Sequence, residues 1–541
     1  MPAWNFASIW ETAADTNADQ PAVIQGNRMV TWREFDQRAD GIAQTLLDRG
    51  AQHQDKVAQY LYNCPEYLES MFAAFKAGLV PVNTNYRYAD DELRYLWDNA
   101  DAVCVVFHGS FGERIERIRA SLPKIKTWLW VDDASGPCPE WAMPYESAVG
   151  NADGRVNAPW GRGDDDLLLM YTGGTTGMPK GVMWRQDSLV KAVVSTANAL
   201  YLGPVDYDAV RELLSTAPPG GTLLPGPPLM HGTGQFTTFI ALSGAGQIVL
   251  LENHHFDSEE MLDTVESRKV NSLIIVGDAF AKPMVKALEA NPGRWDLSSL
   301  FMVTSSGVMW SEPVKQRMLA HNPNMLLIDV FSSSEALGMG ASISSGTRSA
   351  DTAKFTLGEN ARVVGDDGVD VQPGSGETGR VAVRGFTPIG YYKDPEKSAA
   401  TFVMIDGQTY SMPGDYARIE ADGSLTLLGR GSQCINTGGE KVYPEEVEEV
   451  LKEHSTVMDA VAVGLPDEKF GEVITAVVQS HDGDVINEAD LIAWVKTRLA
   501  SFKAPKHIVA IDTIGRAPNG KVDYKRMKTY AADQLKISLD S

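Results

Sequence analysis

Eleven consecutive residues, Tyr171-Thr172-Gly173-Gly174-Thr175-Thr176-Gly177-Met178-Pro179-Lys180-Gly181, gather glycines, hydroxyls and one lysine. Glycine permits positive φ and lets backbone N–H groups approach an anion with no Cβ in the way. Thr172, Thr175 and Thr176 add hydroxyl donors, and Lys180 adds a mobile positive charge. Such a stretch suits a polyphosphate. It is not a Walker A loop: Met178-Pro179 separates Gly177 from Lys180, and Gly181 stands where that loop needs Ser or Thr for magnesium.

A second glycine–lysine pair closes the turn Arg516-Ala517-Pro518-Asn519-Gly520-Lys521 near the C-terminus. Between the two lie Met230-His231-Gly232, Ser305-Ser306-Gly307, Phe331-Ser332-Ser333-Ser334-Glu335, Gly414-Asp415 and Gly429-Arg430. Taken singly, each is ordinary: a packed histidine, a solvated glutamate in a serine-rich turn, an exposed lysine. Their order along the chain is what carries information.

The elements that must hold these residues follow from periodicity. The apolar run 167–170 reads as a buried strand delivering into the phosphate loop. Residues 31–50 read as a helix with Phe35, Ala39, Ile42, Ala43 and Leu46 on one face, closed by Gly50. Strand and helix patterns then alternate (57–61, 65–78, 80–83, 90–99, 102–107), which predicts a parallel sheet with helices on its faces. Further strands are expected at 247–251, 272–276, 300–304 and 325–330. From Ala361 to Leu428 short β segments between turn signals predict a β-rich subdomain. Past Gly429-Arg430, Pro444 suits the first position of a helix and Glu445 and Glu446 favour its positive end. Strands at 459–463 and 473–479 and a helix near 488–501 complete a small α+β domain.

The ordered motifs resemble those of the acyl-adenylate-forming superfamily, which includes acyl-CoA synthetases, luciferases and peptide-synthetase adenylation domains. The resemblance runs from about Thr31 to Lys528. It implies an α/β fold with a large N-terminal adenylation domain, residues 1–429, and a small mobile α+β domain, residues 430–541, that carries the catalytic lysine. It also implies roles. Thr172, Gly173, Gly174, Thr175, Thr176, Gly177 and Lys180 would cradle the phosphates, and Ser305, Ser306 and Gly307 would surround the adenine. Phe331, Ser332, Ser333 and Ser334 would supply an aromatic on adenine and a hydroxyl on the α-phosphate. Asp415 would take the ribose hydroxyls beside Arg430. Glu335, with Thr175, would hold Mg2+. Lys521, Glu335, His231 and Lys180 would be catalytic, with His231 between the nucleotide and acyl pockets. Gly438, Gly439 and Lys441 would line the way for CoA. Two positions depart from the pattern: Ser332 replaces the usual glycine, and Gln433 stands near the pivot where a charged residue is usual.

Composition bounds the reading further. At 541 residues the chain should exceed a single core, which stops growing at roughly 250–300 residues. A net charge of −23 argues against nucleic acid or an anionic membrane as the partner. Four scattered cysteines, no basic-apolar leader and no long apolar run predict a cytoplasmic protein without a membrane span. The expected partners are ATP, CoA and a small carboxylic acid, with a homodimer left open.

The segments Gly181-Val182-Met183-Trp184-Arg185 and Val276-Gly277-Asp278-Ala279 resemble the branch containing bacterial steroid side-chain CoA ligases. That branch implies a bulky or medium-to-long acyl group. Gly232, Gly234, Ser243, Gly244 and Gly246 leave either room for such a group or close helix packing. Two rival functions are an enzyme that stops at the acyl-adenylate or loads a carrier protein, and a silent nucleotide-binding partner.

Overall fold

A capping box opens the second helix: Glu34 N donates to Thr31 Oγ1, and Thr31 N to Glu34 Oε2. The helix Trp32–Asp48 buries the predicted face, including Phe35, Ala39, Ile42, Ala43 and Leu46. Gly50, at φ +85°, ends it in a conformation that a β-carbon would strain. The computed structural model describes residues 5–174, 177–201, 207–216, 219–346, 350–437, 440–467, 469–481, 484–517 and 520–539.

Two sheets with mainly parallel centres form the large domain. In one, strands Val80–Asn83, Lys56–Tyr60, Ala102–His108 and Thr127–Val131 run parallel, joined on one side by Leu167–Gly174. Thr127–Val131 is buried along its whole length, which accounts for the unbroken apolar run Trp128–Val131 rather than an alternating one. In the other, Gln247–Leu250, Thr222–Pro225, Ser272–Ile275, Met302–Ser306 and Leu326–Ser333 run parallel. That sheet then turns antiparallel and continues into the β-rich part, ending its chain course at Leu425–Arg430.

The small domain has its own five-stranded sheet, beginning at Ile435–Thr437, with helices Pro444–Lys452 and Tyr524–Leu535 packed on it. No helix among the described residues is long and apolar enough to cross a membrane.

One expectation needs correction. The phosphate stretch is not a loop entered from a short strand. The strand Leu167–Gly174 runs on through the glycines and pairs antiparallel with Gly177–Arg185, Thr172 lying opposite Lys180. The glycines therefore belong to paired antiparallel strands, Gly174 opposite Gly177; Thr175 and Thr176 fall outside the described residues.

An aromatic cluster fixes the element that bears His231. Phe6, Trp10 and Phe75 meet Phe239 of helix Gly232–Ser243; Phe6 and Phe239 lie 4.8 Å apart, and Trp10 meets Phe72 edge-on at 5.3 Å. Gly234 and Gly246 resolve the two readings of the small residues. A β-carbon on Gly234 would stand 2.7 Å from Pro228 O, and one on Gly246 2.9 Å from Gly221 O. Both glycines serve backbone packing.

Candidate active site

Asn83, the last residue of its strand, brackets two of the motifs. Its amide nitrogen donates to Tyr171 O (2.8 Å) and Met230 O (2.7 Å), and its oxygen accepts from Tyr171 N (2.6 Å). The root of the phosphate hairpin and the residue before His231 are thereby held at one point. Lys180, further along the hairpin, pairs with Asp394 at 2.7 Å and lies 5.9 Å from the centre of the Tyr391 ring.

Tyr391 leads to the next carboxylate. Its hydroxyl donates to Glu335 Oε1 at 2.9 Å, while Ser411 Oγ donates to the Glu335 carbonyl at 2.7 Å. Of the serines before Glu335, Ser332 Oγ accepts from Gly338 N, and the Ser334 carbonyl accepts from the indole of Trp184. Ser333 Oγ is buried with no hydrogen-bond partner among the described residues. Ser334 Oγ lies 3.3 Å from where a β-carbon on Gly232 would be, so the serine turn faces the start of the His231 helix. Phe331 is buried beside Phe355, ring centres 5.6 Å apart.

Ser305 is fully buried and its hydroxyl accepts from Gly277 N at 2.9 Å, so this side chain is committed to the turn at Gly277. Ser306 ends the strand, and Gly307 follows at φ +96°, with Thr233 and Val276 as neighbours.

Asp415 and Arg430 face each other across paired strands, Oδ1 to Nε 3.5 Å. Asp415 is buried, and its Oδ2 has no partner among the described residues. Burial raises its proton affinity, opposed by Arg430, and Glu335 adds repulsion. An unsatisfied carboxylate oxygen in such a place is costly and calls for a donor such as a sugar hydroxyl.

Lys521 arrives at this group from the small domain. Gly520, at φ +72°, packs so closely on the large domain that a β-carbon would stand 2.6 Å from Val308 and 2.9 Å from Val276. Lys521 stays solvent-exposed, yet the surrounding protein strips hydration and lowers its proton affinity. Arg430 lowers it further, and Glu335 and Asp415 oppose. His231 feels the same convergence: loss of hydration, then Lys521 and Arg87, push it down to about 3. Its imidazole is neutral at physiological pH, a donor or acceptor rather than a charge.

The structure thus brings together Lys521, Glu335, Asp415, Arg430 and His231. Lys180 stands beside them through Tyr391. Thr175, Thr176, Gly438, Gly439 and the Lys441 side chain lie outside the described residues. Tyr391, Asp394, Asn83 and Val308 carry no local signal of a site in the sequence, because their partners lie far along the chain, as with Asp394, 214 residues from Lys180.

Residues 10–392 match the model of the AMP-binding enzyme family. The chain belongs to that family. Residues 446–521 match the C-terminal domain that accompanies AMP-binding enzymes. Among curated AMP-binding relatives, a medium/long-chain-fatty-acid–CoA/3-oxocholest-4-en-26-oate–CoA ligase of Mycolicibacterium smegmatis is 39% identical over 97% of this chain and 96% of its own length. A 3-oxocholest-4-en-26-oate–CoA ligase of Rhodococcus rhodochrous is 38% identical over the same shares. The fold is similar to that of the anthranilate CoA ligase AuaEII bound to anthranoyl-AMP, with a TM-score of 0.83, 20% identity and 99% of both chains covered. It is also similar to ATP-bound MatB from Rhodopseudomonas palustris, with a TM-score of 0.80, 24% identity, and 98% and 99% covered.

Proposed function

We propose that this chain is an AMP-forming acyl-CoA ligase that activates a bulky or medium-to-long-chain carboxylic acid through an acyl-adenylate and passes the acyl group to CoA. The observation that carries it is the seating of Lys521, from one domain, among Glu335, Asp415, Arg430 and His231 of the other.

The substrate acid, of pKa ~4–5, is already ionised at pH 7, so no general base is required. The obstacle is one anion attacking another. Lys521 is placed to meet the attacking carboxylate and the α-phosphate together, and Lys180 and the hairpin N–H groups receive the departing pyrophosphate. Asp415, with its unsatisfied oxygen, takes a ribose hydroxyl. His231, uncharged, borders the acyl site without competing for the phosphates.

Among the described residues no cluster of three or more His, Cys, Asp or Glu is suited to a metal, and of the two carboxylates in the site Glu335 is the one not paired with Arg430. That donor set fits Mg2+, which commonly binds one or two carboxylates and otherwise substrate phosphates. Glu335, with Thr175, would hold it, and it would supply charge neutralisation at the phosphates.

The division at 429/430 is supported by the sheets: the large sheet ends its chain course at Arg430 and the small one opens at Ile435. The small domain turns about the residues between, near Gln433. It withdraws Lys521 for the thiol step and brings Gly438, Gly439 and Lys441 to the CoA arm. The acid class rests on relatives named for medium/long-chain fatty acids and 3-oxocholest-4-en-26-oate.

Product analysis with ATP, CoA and a panel of steroid side-chain, fatty, aryl and short-chain acids tests the reading. AMP, pyrophosphate and the acyl-CoA are expected, with acetate a poor substrate. ADP as the nucleotide product would sink it, and acyl-AMP accumulating with CoA untouched would favour an enzyme that stops at the adenylate.

A further inference from the structure

The seam between the domains holds a carboxyl group that the reaction above leaves unused. Glu445 follows Pro444 in the first turn of helix Pro444–Lys452 and so belongs to the small domain. Its side chain reaches back onto Gly429 and Arg430, the last residues of the large sheet. The contact is close: a β-carbon on Gly429 would lie 2.0 Å from Glu445 Oε2. That oxygen is sealed from solvent and has no hydrogen-bond partner among the described residues. The backbone N–H groups of Glu445 itself and of Arg430 face the carboxyl. Arg430 in turn pairs with Asp415, the carboxylate assigned to the ribose.

We propose that Glu445 is a positioning residue for adenylation: seated on the Gly429–Arg430 backbone, it fixes the Arg430–Asp415 pair for the ribose only while the small domain occupies the orientation seen here. This rests on the ligase reading, in which the small domain turns about the residues after Arg430. Gly429 and Glu445 stand on opposite sides of that pivot, so the turn separates them.

Seating has an electrostatic condition. The charged and titratable groups facing Glu445 are Glu448 on its own helix, Asp415 and Arg430 on the closing strands of the large domain, and Tyr524 of helix Tyr524–Leu535. Lys452 and Arg516 stand behind Glu448. Burial, then Glu448 and Asp415, push the Glu445 carboxyl up to about 8. Released into water, a glutamate returns to about 4.3. The seated orientation therefore holds a proton that the released one gives up. Below about pH 4 both orientations are protonated and pH has no leverage. From there to about 8, rising pH draws the small domain off its seat, and above that both are ionised and the dependence ends.

The test uses the full-length chain and an unreactive adenylate analogue, decanoyl-sulfamoyl-adenosine. Titration calorimetry at pH 7 in two buffers of different ionisation enthalpy counts the protons taken up on binding. With the ligand-free chain mainly released and ionised in solution at pH 7 and the analogue drawing it onto the seat, wild type is expected to take up about one more proton per site than Glu445→Gln, whose amide keeps the shape and cannot ionise. The Kd of wild type relative to the variant is expected to rise up to about tenfold per pH unit between pH 5 and 8. A merely structural role would move neither quantity. Equal proton uptake by the two proteins overturns the inference. Should Glu445→Gln fail to fold, Glu445→Met takes its place with the same two outcomes. Nucleotide products of the wild type are measured on the same preparation. AMP with equal proton uptake sinks the Glu445 inference alone, whereas ADP sinks the ligase reading beneath it.

Discussion

Two lysines serve this site in opposite ways. Lys180 lies on the phosphate hairpin of the large domain, 39% exposed and paired with Asp394 at 2.7 Å. Lys521 is delivered by the small domain into a group where Arg430 repels it and two carboxylates draw it. An exposed ion pair is worth ~0.2–1 kcal/mol, so Lys180 is parked at little cost and can swing to a phosphate when one arrives. Lys521 has no such freedom, because its charge is useful only where the domain places it. In the proposed reaction one cation responds to the ligand, and the other completes the site by arriving.

Removing the delivered charge should have the largest effect. Lys521→Ala is expected to slow acid-dependent ATP–pyrophosphate exchange by about 10²–10³-fold, comparable to the loss of one pre-organised donor. Acyl-CoA formation from preformed acyl-adenylate should stay near the wild-type rate, and the thermal midpoint should not move. If both half-reactions fell together in the folded variant, the division of labour between the lysines would be wrong.

The parked charge should give a smaller effect, and one of adjustable sign. Lys180→Ala is expected to raise KM for ATP by about ten- to thirtyfold, from the loss of a charge-assisted contact worth ~1.5–2 kcal/mol. Asp394→Asn keeps the cap on Lys397 N while releasing Lys180, and should lower the same KM by no more than about fivefold. Steady-state kinetics on the two variants decides the matter. A rise in KM for Asp394→Asn would mean that Asp394 orients Lys180 for the phosphate rather than holding it aside.

The smallest effect is expected at the seat itself. Lys282 Nζ donates across the seam to Met458 O at 3.1 Å and lies 3.4 Å from Asp278, which also accepts from Ser311 N and Oγ. Lys282→Met should reduce pyrophosphate exchange by about two- to fivefold and leave the thiol step alone. A loss as large as that of Lys521→Ala would make the seat, rather than the charge it delivers, the source of the contrast.

Much of the site was legible because each of its residues closes a local pattern. Glu335 follows an apolar strand, Asp415 a Gly turn, and Lys521 a Gly-containing loop, so type and order survive without knowledge of the contacts. What stayed hidden depends on pairing across distance. The phosphate glycines lack the branched side chains that mark strands, yet strand partners draw them into a hairpin. Ser305 reads as a free hydroxyl until Gly277 N is seen to occupy it. Tyr391, whose hydroxyl orients Glu335, sits in a segment without periodicity, and Glu445 reads as an ordinary first-turn acid. Both acquire meaning only from residues that folding places against them.

The bracket made by Asn83 sets a boundary for anyone wishing to retailor the acyl pocket. One side-chain amide anchors both the phosphate hairpin at Tyr171 and the chain at Met230. A segment grafted from another ligase to change chain-length preference should therefore begin after Met230 and leave Asn83 untouched. Cut one residue earlier, the graft would carry its own carbonyl into that bracket, and a change meant for the acid would be paid in the handling of the nucleotide.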